Sequence, residues 1–504
     1  MKGGINMKTR KISAFLFMCM AFSVTSCKKD DTDLTKSSLY VDLHSLMPTL
    51  NEKPTPDQPN PINASRYIAA SYEKLTGTKI TWATDYAKPT DNIGNIRTWF
   101  NNQINVKKCP AIGFTFGTGM QEDDLYVDLT SYLERPNPYV EGNEHWKDLF
   151  YDYVWQDKEV LNAKNQIVSI PFVLDAGCAT SVFYNKTLFE ENNLSTPKTW
   201  KEMTTLADQV KKISSVDYAF APYSGDSSIG LSDSWAFKYN LAPGFAKAMM
   251  SETDYNNDGK TTTNELLRAV LEKKFDPNTC PTAKALYNQA YKYYSEFLPT
   301  GWQSISEWTG KWDEGKVAMK SQGIWYYTNE LSDTVRQFDF DMFVPAVLQS
   351  DTSSYASNIE YGKINDGFES SVLMSFNILK PAVEGNDELL EKAIDFLMYL
   401  TTPDAITSMV EEYSNGLPAI KTNSHPSILD DAGWFEKEFP QINDSEWPLG
   451  FIYANNTVIN ASFANWVTGQ TTSNEFFITL NDEQIKGALK LVSSLNIDTT
   501  GWNI

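Results

Sequence analysis

Residues 171–194 read PFVLDAGCATSVFYNKTLFEENNL. One apolar run ends at Leu174. Gly177, Cys178 and Ala179 form a patch of small residues. A second apolar run ends at Tyr184 and Asn185, and an acidic, helix-like piece follows. Short continuous apolar runs bounded by turn residues read as buried strands. The first run extends back through QIVSI, so one buried strand is expected within 166–174 and another within 180–185.

The flanking segments extend this α/β pattern. Downstream, TPKTWKEMTTLADQVKKI (196–213) predicts a helix. Thr199 and Glu202 have capping-box spacing, and Trp200, Met203, Leu206, Ala207, Val210 and Ile213 recur at helical intervals. Near the start, SSLYVDLHSLM alternates Leu39, Val41 and Leu43 and reads as a strand. A loop with four prolines follows at 51–61. A helix is then expected over 64–76, with Tyr67, Ala70 and Leu75 on one side and Gly77 closing it, and a strand over KITWATDY. Later, LLEKAIDFLMYLTTPDAITSMVEEY (389–413) reads as two consecutive helices. Leu390, Ile394, Leu397 and Leu400 make one apolar face, and Pro403 sits in the first turn of the second helix. A single core stops growing at about 250–300 residues, so 504 residues predict two or three domains.

The first residues supply an address. Lys8, Arg10 and Lys11 precede a short apolar stretch, Ile12–Phe22, too short to span a bilayer and typical of an export signal. Val24-Thr25-Ser26-Cys27 resembles a bacterial lipobox. That resemblance implies cleavage over residues 1–26, acylation of Cys27 and a lipid anchor in the cell membrane or an outer membrane. Residues 27–38 are polar enough to act as a flexible tether. The net charge of −21 disfavours nucleic acid as a partner. Cys109, Cys178 and Cys280 remain, which permits at most one internal disulfide. His44, His145 and His425 are far apart and lack metal-ligand spacing.

The chain has 14 Trp and 25 Tyr. Several stand beside polar or turn residues: Trp82, Trp235, Trp302, Trp308, Trp325, Tyr326, Tyr327 and Trp447. An indole face can stack on the apolar face of a sugar ring while its N–H meets a hydroxyl, so a carbohydrate site is expected.

Four blocks, in order, carry a family resemblance. They are IPFVLDAGCATSVFYNKTLFEENNLSTPKTWKEM, KWDEGKVAMKSQGIWYY, FDFDMFVPAV, and the stretch from SSVLMSFNILKP to NGLPAI. Over roughly Tyr40–Ile420 the sequence resembles the extracellular solute-binding proteins of ABC importers, of the carbohydrate-binding class. The resemblance implies an α/β, two-lobed periplasmic-binding-protein-like fold with crossover hinge segments. One lobe would hold 39–170 and 345–402, the other 175–340 and 405–504, with crossings at Pro171 and Pro345. It implies a solute bound between the lobes and delivered to permease subunits; the aromatic richness favours an oligosaccharide over a monosaccharide, with peptide or lipid-linked cargo still open, and a monomer is expected. Trp325 inherits a sugar-lining role from the G-x-W block. Asp175 would lie near the ligand, and Tyr184 of the YN block would face either the cleft or the core. Trp82, Trp235, Trp302 and Asp123 complete the candidates, with Gly119 and Met120 beside Asp123. Trp312 stands where Phe is usual and reads as a larger core residue.

DYNNDGKTTTNE (254–265) fits a calcium-loop pattern completely. Asp254, Asn256 and Asp258 would supply side-chain oxygens, Lys260 a backbone carbonyl and Glu265 a bidentate carboxylate, with Gly259 at the sharp turn. Two other readings compete: a surface glycoside hydrolase and a helical outer-membrane glycan-binding lipoprotein. The first lacks a distinctive catalytic motif. The second predicts few strands.

Overall fold

The computed structural model describes residues 38–504 apart from 56–59, 84–92, 115–124, 158, 163, 177–179, 222–241, 260, 299–300, 303–304, 306, 345, 365–370, 415, 423 and 441–454. The export segment and Cys27 lie outside this range.

The chain opens with β1 (Ser38–Val41), α1 (Ala64–Thr76) and β2 (Lys79–Trp82), the expected strand–helix–strand unit. The strands pair in parallel, Leu39 opposite Ile80 and Val41 opposite Trp82. The inward face of α1 differs from the expected one. Ser65, Ala69 and Tyr72 are buried, whereas Tyr67 is 59% and Leu75 63% exposed. Tyr72 takes the inward position because its ring packs on Phe396 and its hydroxyl donates to Asp395 Oδ2 at 2.6 Å.

After α2 (Ile93–Asn105), β3 (Ile112–Gly113) joins β1 in parallel. β4 (Ile170–Leu174) follows, every residue buried. The chain then leaves for a second sheet, which begins with β5 (Thr180–Asn185). Next come α3 (Lys186–Glu191), α4 (Trp200–Val210) and β6 (Tyr218–Ala221). The expected capping box of α4 forms: Thr199 Oγ1 accepts the Glu202 N–H at 3.2 Å, and Glu202 Oε2 accepts that of Thr199 at 3.1 Å. Three helices, α5 (Ala242–Thr253), α6 (Thr263–Leu271) and α7 (Pro281–Lys292), lead to α8 (Trp308–Asp313). β7 (Val317–Gly323), α9 (Tyr327–Ser332) and β8 (Phe340–Phe343) complete the second sheet, ordered β6-β7-β5-β8.

The passage expected at Pro345 comes later along the chain. Ala346, Leu348, Ala356 and Ile364 are buried in the second lobe's core, and Val347 forms a parallel bridge to Thr199. After the short β9 (Tyr361–Gly362), the chain is back in the first sheet only at β10 (Val372–Ile378). α10 (Lys380–Val383), α11 (Asp387–Leu400) and α12 (Pro403–Tyr413) bury Val383, Leu397, Ile406 and Met409 in the first core. β11 (Leu417–Pro418) then pairs with β4, so residues 405–420 belong to the first lobe and not the second. The third passage follows Ile420. Leu429 of α13 (Ser427–Asp431) is in the second core, and β12 (Phe439–Pro440), α14 (Asn456–Val467) and α15 (Ser473–Leu495) pack there too.

The first sheet has the order β11-β4-β10-β3-β1-β2. Two mixed sheets, each with its own core, make the chain α/β and two-lobed. They also overturn the helical-repeat alternative, which had no place for six- and four-stranded sheets.

Gly416, in the turn from α12 into β11, lies against the end of β4, where the first passage begins. Its φ is +104°, and a Cβ there would sit 2.3 Å from the Leu174 carbonyl oxygen. Both the backbone conformation and the close approach require glycine. Gly416→Ala is expected to cost about 3 kcal/mol of stability, read by chemical denaturation. A loss below about 0.5 kcal/mol would show that this turn is not held against the end of β4.

Candidate functional site

Strand direction places the site. β10 begins at Val372 opposite Leu174 and ends with Ile378 opposite Ile112, antiparallel to β3. Hence β1, β2 and β3 run towards the end of the sheet at which β4 departs. Their carboxyl ends, at Val41, Trp82 and Gly113, lie on the passage side, the side on which open α/β sheets bind ligands. In the second sheet Gly323 is opposite Thr180, so β7 ends where β5 enters from the first passage. The next residues, Ile324–Tyr326, form a single 3-10 turn before α9. The backbone of Trp325 is therefore at the passage end of the second lobe. Its side chain is outside the described set.

The turn is anchored on several sides. Ile324 is buried. The Tyr327 ring packs on Phe340, and its hydroxyl donates to the Asp431 carbonyl at 3.3 Å. Trp434, just beyond α13, is fully buried and donates its indole N–H to the Ala176 carbonyl at 2.6 Å. α13 thus links the Trp325 turn to the first passage.

Beneath the turn lies a buried charged cluster. Glu330 of α9, its side chain 3% exposed, accepts hydrogen bonds from Lys320 of β7, from Arg336 Nη1 at 2.9 Å and from Trp312 Nε1 at 3.0 Å. The Lys320 ammonium is 4.4 Å from the Trp312 ring centroid and 5.1 Å from that of Tyr326. Burial pulls the Lys320 pKa below its usual value, although Glu330 opposes the shift. Trp312 is a core residue, as expected. Its indole N–H also satisfies Glu330, which a phenylalanine could not do.

The other candidates separate. Asp175 is half-buried at the first passage, and its backbone N–H donates to the Ser371 carbonyl at 2.9 Å. Trp82 is half-buried at the carboxyl end of β2. Tyr184 packs between Phe189 and Phe343, and burial pushes its phenol up to about 12, which is a packing environment. Asn185 of the YN pair caps α3, accepting the Leu188 N–H at 2.9 Å. Trp302, 2% exposed and stacked on Tyr294, is core and has no surface to offer a solute; Trp308 is likewise buried, edge-on to Tyr218. Trp235, Asp123, Gly119, Met120, Trp447 and Lys260 lie outside the described residues.

Sequence reasoning passed over His44. It follows β1 on the passage side with φ +49°, its ring 4.3 Å from that of Phe114 and its N–H donating to Asp42 Oδ1 at 2.9 Å. A left-handed conformation is uncommon for a non-glycine residue, and here it stands just after a strand that ends on the passage side. No spacing in the sequence announces it.

The loop 254–265 is closed by its own hydrogen bonds. Asp254 accepts the Asp258 and Gly259 N–H groups at 3.1 and 2.9 Å, and Asn256 Oδ1 accepts that of Asp258 at 2.9 Å. Glu265 forms a capping box with Thr262 and also accepts the Tyr255 N–H at 2.9 Å. Among the described residues no group of three or more His, Cys, Asp or Glu side chains is gathered to hold a metal ion. Calcium would need Asn256, the Lys260 carbonyl and a re-aimed Glu265.

Residues 68–434 match the family described as bacterial extracellular solute-binding protein. Comparison with curated protein sequences returns no significant match. Three solved structures share the fold. A family 1 extracellular solute-binding protein from Bifidobacterium longum subsp. infantis aligns with a TM-score of 0.54 and 14% identity over 90% of this chain and 99% of its own. A candidate binding protein from Bacillus subtilis, in an open conformation, gives 0.56 and 12% over 91% and 99%. An ABC substrate-binding protein from Listeria monocytogenes in complex with cycloalternan gives 0.53 and 13% over 92% and 99%.

One pH response follows from the cluster. Burial, the charge of Asp333 and a hydrogen bond to it raise the Asp313 carboxyl to about 6. Burial would raise Asp333 as well, but the Val335 and Arg336 N–H groups hold it below its ordinary range. The native state therefore keeps a proton on Asp313 that the unfolded chain has already lost. Its contribution to stability is complete below the ordinary aspartate range and is lost as pH rises through about 6. Asp313→Asn, which can donate to Asp333 without titrating, should raise Tm relative to the unsubstituted protein more at neutral pH than at about pH 4. Parallel Tm–pH curves for the two proteins would refute the shared proton.

Proposed function

Because the chain belongs to the bacterial extracellular solute-binding protein family, we propose that it captures a carbohydrate, by preference an oligosaccharide, and delivers it to the permease of an ABC importer. The observation that carries this reading is the convergence at the passage side. The carboxyl ends of the first sheet's parallel strands and the Trp325 turn of the second lobe both lie at the ends joined by the first passage. The sugar assignment draws on Trp325, Trp82 and Tyr326, and on the Listeria neighbour, whose complex holds cycloalternan.

No bond is made or broken in this mechanism. A solute that fits both lobes binds the closed arrangement better than the open one, and that difference in affinity drives closure. The closed monomer then presents both lobes to the permease. The family is extracellular, so the protein works outside the cytoplasm. Among the described residues no helix is long and apolar enough to cross a membrane. Acylated Cys27 would tether the protein, with residues 27–38 as the leash.

The test is thermal unfolding of the lipid-free protein with neutral and acidic oligosaccharides. A ligand specific to the native state must raise Tm. Trp325→Ala should weaken binding of the stabilising sugar at least tenfold, about 1.4 kcal/mol. Unchanged affinity in the variant would remove Trp325 from the site, and no stabilisation by any sugar would overturn the carbohydrate reading.

The loop 254–265 is assigned to structural calcium on its complete spacing and its pre-formed turn at Gly259, φ +81°. Calcium added to the stripped protein should raise Tm, and Asp258→Ala, which removes a ligand oxygen outright, should abolish the rise. Glu265→Ala would be a poor probe, because loss of the capping box costs about 1 kcal/mol with or without the ion. An equal rise in the protein and in the Asp258→Ala variant would disprove the site.

A further inference from the structure

The geometry points to Glu330 as the positioning residue of the Trp325 turn. Its carboxylate joins the strand before the turn through Lys320, the segment after α9 through Arg336, and α8 through Trp312. Glu330 itself lies in α9, which starts immediately after the turn. Four segments bracketing one three-residue turn therefore share a single buried anion. The inference rests on the solute-binding reading of Trp325 and deepens it.

The choice of groups supports a positioning role. A buried ion pair is seldom worth more to stability than apolar side chains of the same volume. Its charged hydrogen bonds are directional, however, and they fix one arrangement of the elements they join. Arg336 is held in turn: Nε donates to the Phe338 carbonyl at 3.0 Å and Nη1 to the Glu330 carbonyl at 2.7 Å. Lys320 is braced by the faces of Trp312 and Tyr326, and Tyr326 is the residue after Trp325. Loss of the anion would leave Lys320 and Arg336 facing one another without a counter-charge at Glu330. Lys320 can shed its proton to relieve the charge, but the directional bonds to Glu330 that tie these segments to the turn are then lost.

The experiment is fluorine NMR of the full protein labelled with 5-fluorotryptophan, with the Trp325 signal assigned by Trp325→Phe. Glu330→Gln, close to isosteric, should shift or broaden the Trp325 signal and that of Trp312, while signals of tryptophans in the first lobe stay in place. Affinity for the oligosaccharide found by thermal shift should fall at least tenfold at saturable, folded protein. Should Glu330→Gln fail to fold, Lys320→Met and Trp312→Phe each remove one partner and should move the same signal. A folded variant whose Trp325 signal coincides with that of the unsubstituted protein would overturn the assignment. The spectrum is read without solute, so it judges the positioning role even where Trp325→Ala has refuted sugar contact.

Discussion

β4 is paired on both edges and buried on both faces. β10 flanks it on one side and β11 on the other, and none of its five residues reaches solvent. A strand in that position cannot shift register without disturbing both neighbours and the packing on each face. The point at which the chain leaves the first lobe is fixed as a result. The departing segment is met by Gly416 against the Leu174 carbonyl and by the Trp434 indole on that of Ala176. The first passage between the two lobes starts from this exit.

From that exit, contacts lead to the turn that carries Trp325. Ala176 holds Trp434, α13 holds Tyr327 through the Asp431 carbonyl, and Tyr327 adjoins the turn. On the proposed reading, a solute held at the turn would act on residues hydrogen-bonded to the first passage. A family of binding proteins needs such a connection, since occupancy has to be expressed as a change in the relation of two surfaces.

What could be read from the sequence was local. Continuous apolar runs announced β4 and β5, and the Thr199/Glu202 spacing announced the start of α4, because those signals lie within a few residues of the structure they specify. What could not be read depends on partners far along the chain. The face of α1 is chosen by Asp395 and Phe396 in α11. The late second passage follows from Val347 bridging Thr199, which keeps 346–364 in the second lobe although FDFDMFVPAV already looked like a departing strand. Trp302 sits among polar residues in sequence but is buried by Tyr294, eight positions back in a neighbouring segment. The Glu330 cluster draws on positions 312, 320, 330 and 336, which follow no period.

The strand order also governs when the first lobe can form. β3 and β4 are joined only through β10, which lies between them, and β4 has a bare edge until β11 arrives. A chain emerging amino end first thus cannot complete this sheet before residues 372–418 are available. Closing such long loops is slow. The consequence is one of timing: the first lobe's sheet, opened by β1 near the amino end, can close only when β10 and β11 from the last third of the chain have joined it.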